Sequence, residues 1–290
     1  MSDDLTVVIP AFNAASTIQD AVSSAHAVGA TRVLVINDGS TDTTAELLEG
    51  LECEVRDISN GGVARARRIG VTFVETPFLI LLDADDCLRP RGVTAALEQL
   101  RADPVLSACG GSVVNVRPDG RAEEPHSTYG GFRRLTADDL VKRGVGPWPP
   151  GAAVIRTDSF HAISNMHPRP LDPPRAEDYE MFIRLSIVGE IGVTEEPTLN
   201  YRVHVGKSSR SAFQSMTCRE QIRRHYIDAL GISARGLSRR AIRSDAHLLA
   251  VRSHLSHRRL ALGLLNLMAA VLFAPLRVIR KVRDNSGQSR

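Results

Sequence analysis

Cysteine is scarce and scattered. Cys53, Cys87, Cys109 and Cys218 form no CxxC pair and show no metal-ligand spacing. That pattern gives no support to a zinc module and fits reduced thiols in a cytosolic protein. The GxGxxG signature is also missing, so a nicotinamide cofactor has no support. The opening stretch MSDDLTVVIP is acidic where a secretory leader is basic, and it has no long apolar run. It therefore does not read as a signal peptide. There is no internal repeat, and Trp148 is the only tryptophan.

What is present is ordinary globular usage, 43% hydrophobic and 24% charged over 290 residues, enough for one large core or two modest domains. The net charge of +3 hides an asymmetry. Residues 1–205 carry 19 Lys and Arg against 29 Asp and Glu, a net −10, whereas residues 206–290 carry 17 against 4, a net +13. Such a break divides the chain into two parts with different partners. The basic part either packs on the acidic part or meets anionic lipid or another polyanion.

Leu5–Pro10, Arg32–Ile36, residues 53–58 and Phe78–Leu82 read as short, apolar, β-branched strands. Between them lie helical stretches: one ending at Gly29, one opened by the capping-box spacing Thr43-Thr-Ala-Glu46, and Val63–Val74. This alternation predicts βαβ units and a Rossmann-like, mostly parallel sheet flanked by helices. A helix over 91–102 follows, then a strand over 105–116, an irregular Gly- and Pro-rich region over 117–150, a strand at Ala152–Ile155 and a helix over Ala176–Val188.

From about residue 217 the chain is helical and basic, with Leu237, Ala241, Leu248, Val251 and Leu255 expected on one face. Residues 260–276, LALGLLNLMAAVLFAPL, are flanked by His257-Arg-Arg259 and by Arg277, Arg280, Lys281 and Arg283. Seventeen residues containing Asn266 and Pro275 are marginal for a span. Basic flanks suit a helix lying in a membrane interface, while a packed helix or a homodimer contact stays open. An apolar run beside these charges fits a lipid surface better than a nucleic acid, and no nucleic-acid partner is expected.

Acids stand at strand ends: Asp38 after the second strand, Asp83-Ala-Asp85-Asp86 after the fourth, and Glu177-Asp178 later. In open α/β sheets ligands bind at the carboxyl ends of strands. Three carboxylates within four residues repel one another unless a cation lies between them, and Mg²⁺ or a similar hard ion typically takes one or two carboxylates plus substrate phosphates. Acids before a helix would account for one or two of them, not readily for three. Asn60-Gly-Gly62 precedes a helix and resembles a phosphate-approaching turn, with Arg65, Arg67 and Arg68 beyond it; a simple turn would also explain it.

In order, VVIPAFN (7–13), VINDGSTD (35–42), NGGVARARRIG (60–70), LLDADD (81–86) and AEDYEMFIRL (176–185) resemble the family 2 glycosyltransferases of GT-A fold. The resemblance covers roughly residues 5–205, the expected catalytic domain, with residues 206–290 a basic helical extension for a membrane surface or oligomerisation. It implies a metal-dependent, inverting enzyme that moves a sugar from a nucleotide-diphospho-sugar to a hydroxyl of a glycan or lipid-linked acceptor in cell-surface polysaccharide or glycoconjugate synthesis. A UDP-sugar is favoured, with guanosine and thymidine open. The implied setting is cytoplasmic, peripheral on the inner face of the cell membrane.

The resemblance also implies roles. Pro10, Ala11 and Asn13 line the nucleotide pocket, and Asp38 accepts from an N–H of the base. Asp83 faces the ribose, with Ala84 beside it. Asp85 holds Mn²⁺ or Mg²⁺, with His204 a second metal candidate and Asp86 supporting the loop. Gly62 and Arg65 approach the diphosphate, and Arg202 is a further phosphate candidate. Asp178 is the general base and Glu177 helps to position the acceptor, because a single displacement at the anomeric carbon needs a base opposite the leaving diphosphate. Trp148 stacks on a sugar ring or anchors a loop on the core. A sugar nucleotidyltransferase would need a Gly-rich basic loop after the first strand, which PAFNAAST does not supply. The alternative from another class is a catalytically degenerate nucleotide-sugar-binding or scaffold subunit, against which the intact DADD and ED elements argue.

Overall fold

A computed structural model describes residues 4–127, 129–203, 212–256 and 260–279. The chain divides into two compact units. One comprises residues 1–140, 146–170 and 178–203, and the other residues 141–145, 171–177 and 204–290.

Through residue 203 the elements run β1 (Leu5–Ala11), α1 (Ile18–Ala27), β2 (Arg32–Asn37), α2 (Thr44–Leu48), β3 (Glu54–Asp57), α3 (Val63–Val71), β4 (Phe78–Leu81), β5 (Cys87–Leu88) and α4 (Pro90–Ala102). They continue with β6 (Leu106–Gly110), β7 (Val113–Val116), β8 (Arg134–Leu135), α5 (Ala137–Arg143), β9 (Ala153–Arg156), α6 (Thr157–Asn165), α7 (Glu177–Val188), β10 (Glu190–Val193) and β11 (Leu199–Arg202).

The main sheet has eight strands in the order β3-β2-β1-β4-β9-β6-β10-β8. Only β9 and β8 run against the rest, pairing antiparallel with their neighbours, so the sheet is mostly parallel as expected. Strands covered on both faces read as continuous apolar runs, and Val7, Val8, Ile9, Leu34, Val35, Ile36, Leu79 and Ile80 are all fully buried. Pro10 is tolerated in this central strand because β4 leaves the ladder opposite Val8, and only β2 pairs β1 beyond that point.

The single strand expected over 105–116 is instead two strands. β6 belongs to the main sheet, while β7 joins the small sheet β5-β11-β7. Gly111 sits at the break, where a Cβ would come within 2.2 Å of the Glu196 carbonyl, so a side chain is excluded there. The expected capping box also differs. Thr43 makes no side-chain cap bond, and Asp42 Oδ1 instead accepts from the Thr44 N–H at 3.0 Å.

In the second unit, α8 (Ala212–Leu230), α9 (Arg239–Ser256) and α10 (Leu260–Phe273) pack in series, α9 lying against both others. Glu220 of α8 is buried and accepts from Arg223, Arg224 and the Leu237 N–H, which fixes the turn before α9. The face expected on α9 is not the one it buries. Among the described side chains of α9 the buried ones are Ile242, Ser244, Asp245, Ala246 and Ala250, with Leu248 and Val251 half-exposed; Leu255 lies outside them. Among the described residues no helix is long and apolar enough to cross a membrane.

Candidate active site

The carboxyl ends of β1, β2 and β4 build one edge of the first unit. Pro10 and Ala11 are the last two residues of β1 and are buried within the sheet, so the chain first turns outward at Phe12, which is half exposed. Asn13 has a left-handed backbone, φ 51°, a conformation Asn tolerates better than most residues. Its Oδ1 accepts from the Thr41 N–H at 2.8 Å and its own N–H donates to Ser40 Oγ at 3.1 Å. Asn13 thus ties the loop after β1 to the loop after β2.

Asp38 follows β2 and is 3% exposed. Its two carboxylate oxygens accept from the Gly61 and Gly62 N–H groups, each at 2.8 Å, while its carbonyl accepts from Asn60 Nδ2 at 2.9 Å. The turn at 60–62 is therefore clamped onto the end of β2. The Asp38 oxygens, expected to accept from a base, thus accept from this turn, and the Gly62 N–H, expected near a diphosphate, donates to Asp38. Gly62 has φ 87°, which explains why glycine stands there.

Arg65 folds back over this turn, its Nη1 donating to the Ser59 carbonyl at 2.6 Å. Arg67, two residues on in the pattern ARARR, is the arginine that reaches the acidic turn: its guanidinium pairs with the Asp83 carboxylate, and its side chain is 9% exposed. The residue missed by sequence reasoning is therefore Arg67. Its signal was its position on the same helical face as Ala66, Gly70 and Val71, all buried in α3. An arginine on a buried face needs an anionic partner.

Asp83, Asp85 and Asp86 each offer an oxygen within 4.8 Å of the other two. Asp83 and Asp85 are half-buried, Ala84 is buried between them, and Asp86 is 2% exposed. Asp86 Oδ1 accepts from the Arg202 N–H at 2.9 Å, which ties the turn between β4 and β5 to β11. Its Oδ2 is buried with no hydrogen-bond partner among the described residues. Burial pushes the Asp86 carboxyl up to about 8, opposed by the Arg202 N–H and reinforced by the negative charges of Asp83 and Asp85. A divalent cation fits this set, since it would satisfy an orphaned buried oxygen and offset three crowded carboxylates with hard oxygen ligands.

The Arg202 side chain pairs with Asp20 at 3.0 Å. Asp178 is half-buried in the first turn of α7, its Oδ1 accepting from the Tyr179 N–H at 2.8 Å, and Glu177 before it is also half-buried. Ala176 just upstream has φ 65°, a strained conformation for a residue with a Cβ. Tyr201 lies on β11. Burial raises its phenol to about 12, and the charges of Asp86, Asp83, Asp85 and Asp178 all act in the same direction. Trp148 is buried, its ring edge-on to Phe182 at 6.1 Å, so it anchors the core and presents no face to a sugar. His204 lies outside the described residues.

The profile of Glycosyl transferase family 2 matches residues 6–163. A chondroitin synthase of Pasteurella multocida (strain Pm70) and a hyaluronan synthase of Pasteurella multocida are each 31% identical over 219 residues, covering 71% of this chain. The chain spans only 21% of the length of those two relatives. Among solved structures, that of S. aureus TarS 1-349 in complex with UDP-GlcNAc superposes with a TM-score of 0.61 at 17% identity, covering 95% of this chain and 82% of that one. At that identity the likeness speaks for the GT-A fold.

Proposed function

The chain belongs to glycosyl transferase family 2, and from that premise we propose that it is a metal-dependent, inverting glycosyltransferase using a nucleotide-diphospho-sugar. The observation that carries this reading is the cluster of Asp83, Asp85 and Asp86 after β4. A UDP-sugar is the donor we favour, because the TarS structure with matching fold contains UDP-GlcNAc. The relatives named chondroitin synthase and hyaluronan synthase support polysaccharide synthesis; we take the acceptor to be a hydroxyl of a glycan or lipid-linked molecule on the cytoplasmic side.

Asp85 would hold Mn²⁺ or Mg²⁺, with Asp83 and Asp86 beside it. When bound, the metal neutralises negative charge developing on the leaving diphosphate. Arg67 holds the Asp83 carboxylate in place on the donor side. Asp38, Gly61, Gly62 and Asn13 fix the loops at the strand ends, so that Pro10, Ala11 and Phe12 border a preformed nucleotide site. Asp178 takes the proton of the attacking hydroxyl as it displaces the nucleotide from the anomeric carbon. One displacement inverts configuration. Glu177 opens the same helix and is assigned to positioning the acceptor.

Titration calorimetry of UDP, GDP and dTDP, each with and without Mn²⁺, on the wild type and on Asp85→Ala tests the proposal. Metal-dependent binding of one nucleotide that disappears in Asp85→Ala is the expected result and identifies the donor class. Binding of none of them would overturn the reading in favour of a degenerate scaffold subunit.

A further inference from the structure

The helical pair α9–α10 is built with its polar groups inside and its leucines outside. On α10 the buried residues are Gly263 and Ala270. Asn266, on the same side, meets His247 Nδ1 through its Oδ1 at 2.9 Å, and Ser244 Oγ donates to the Ala270 carbonyl at 2.9 Å. The Phe273 ring stacks on His247 at 5.6 Å, and Arg277 just beyond α10 grips Asp245 with Nε and Nη2 at 2.9 and 2.7 Å. This seam of small residues and side-chain hydrogen bonds is the kind helices use when the medium around them is apolar.

The opposite face confirms the inversion. Leu264, Leu265, Met268, Leu272, Leu276 and Ile279 recur at three- and four-residue spacing and are each between 60% and 82% exposed. A helix packed for water turns its apolar stripe inward. Here the stripe faces out while a serine, an asparagine, a histidine and an ion pair occupy the seam. A contiguous apolar face of this kind marks an interaction surface.

We infer that this face docks on a lipid bilayer carrying anionic headgroups, with α10 lying in the interface. Charge selects that occupant. Residues 206–290 carry a net +13, and Arg258, Arg259, Arg277, Arg280, Lys281 and Arg283 flank the apolar run in sequence. An anionic leaflet gains from those cations as the leucines enter the acyl boundary. A second copy of the chain would set +13 against +13, and a nucleic acid would leave the leucines in water. At 14 residues α10 is too short to span, which leaves the interface as its depth.

The test is sedimentation of the full chain with vesicles of phosphatidylcholine alone and with about 30 mol % phosphatidylglycerol, comparing wild type with Leu264→Glu/Leu272→Glu. Wild type should partition onto the anionic vesicles roughly tenfold or more above neutral ones, more weakly in about 0.5 M salt, and the double variant should lose roughly tenfold or more. Both positions are exposed, so the substitutions leave the seam intact. Hydrogen exchange of residues 260–279 in the wild type, slowed by anionic vesicles, reads the same contact without any variant. Failure of the wild type to bind anionic vesicles overturns the inference, as does a dimer in solution that the same substitutions dissociate. None of these readouts uses nucleotide or sugar transfer, so failure here leaves the transferase reading standing.

Discussion

Replacing Asp38 separates two roles that the same carboxylate could play. In the structure it is 3% exposed and holds two backbone donors, the Gly61 and Gly62 N–H groups, at 2.8 Å each. Asp38→Ala removes both acceptors from two glycine N–H groups that water can partly reach. A hydrogen bond to a charged group contributes about 1.5–3 kcal/mol, and water replaces part of it at these exposed glycines, so the pair amounts to about 2–4 kcal/mol. Asp38→Asn preserves shape but turns an NH₂ toward one of those donors, and should recover less than half of the loss. For a unit of this size, about 4 kcal/mol lowers the melting temperature by about 10 °C. Calorimetric melting with and without UDP is the assay. Both variants should melt early, and UDP affinity should fall because the 60–62 turn is no longer clamped. A variant that melts like the wild type yet no longer binds UDP would refute the clamp and restore direct recognition of the base.

Other consequences follow from the same geometry. Asp178→Asn should slow transfer by about 10²–10⁴-fold while UDP affinity stays within about twofold, the signature of a base that does not contact the donor; parallel loss of UDP binding would count against that role. Arg67→Met should lower the unfolding free energy by about 1–3 kcal/mol in urea melts, because the Asp83 carboxylate is partly screened by solvent; an unchanged midpoint would mean the pair contributes nothing. In the second unit, Asp245→Ala should cost about 1–3 kcal/mol by thermal melting, since it strips Arg277 of two hydrogen bonds at a carboxylate that is 7% exposed.

The sheet was legible because its strands carry their own signal. VVI, VLVI and FLILL have no polar residue for a solvent face, and the structure buries them on both sides as β1, β2 and β4. Element boundaries were less so where tertiary contact decides them. Nothing local in LSACGGSVVNV says that its two halves enter different sheets; the Glu196 carbonyl pressed against Gly111 does, and it comes from a segment some 85 residues later. The buried face of α9 was misjudged for a related reason. Periodicity assigns the apolar side to the core, and it fails where a helix spends Ser244 and Asp245 on a neighbour and leaves its partner's leucines outside.

The site divides along the same line. That acids gather at strand ends can be read from VINDGSTD and LLDADD, but what each acid does depends on which donors the topology brings to it. Asp38 and Asp86 look alike in sequence, each an acid a few residues beyond an apolar strand. Both are almost fully buried, and both accept backbone N–H groups from distant segments, Gly61 and Gly62 in one case and Arg202 in the other. Asp83, Asp85 and Asp178 remain half-buried, with oxygen within reach of a ligand. The buried acids tie distant loops together, and Asp86 in addition keeps an unpartnered Oδ2 beside Asp83 and Asp85. A substitution that disturbs β11, which carries the Arg202 N–H, should therefore shift the 83–86 turn proposed to hold the metal.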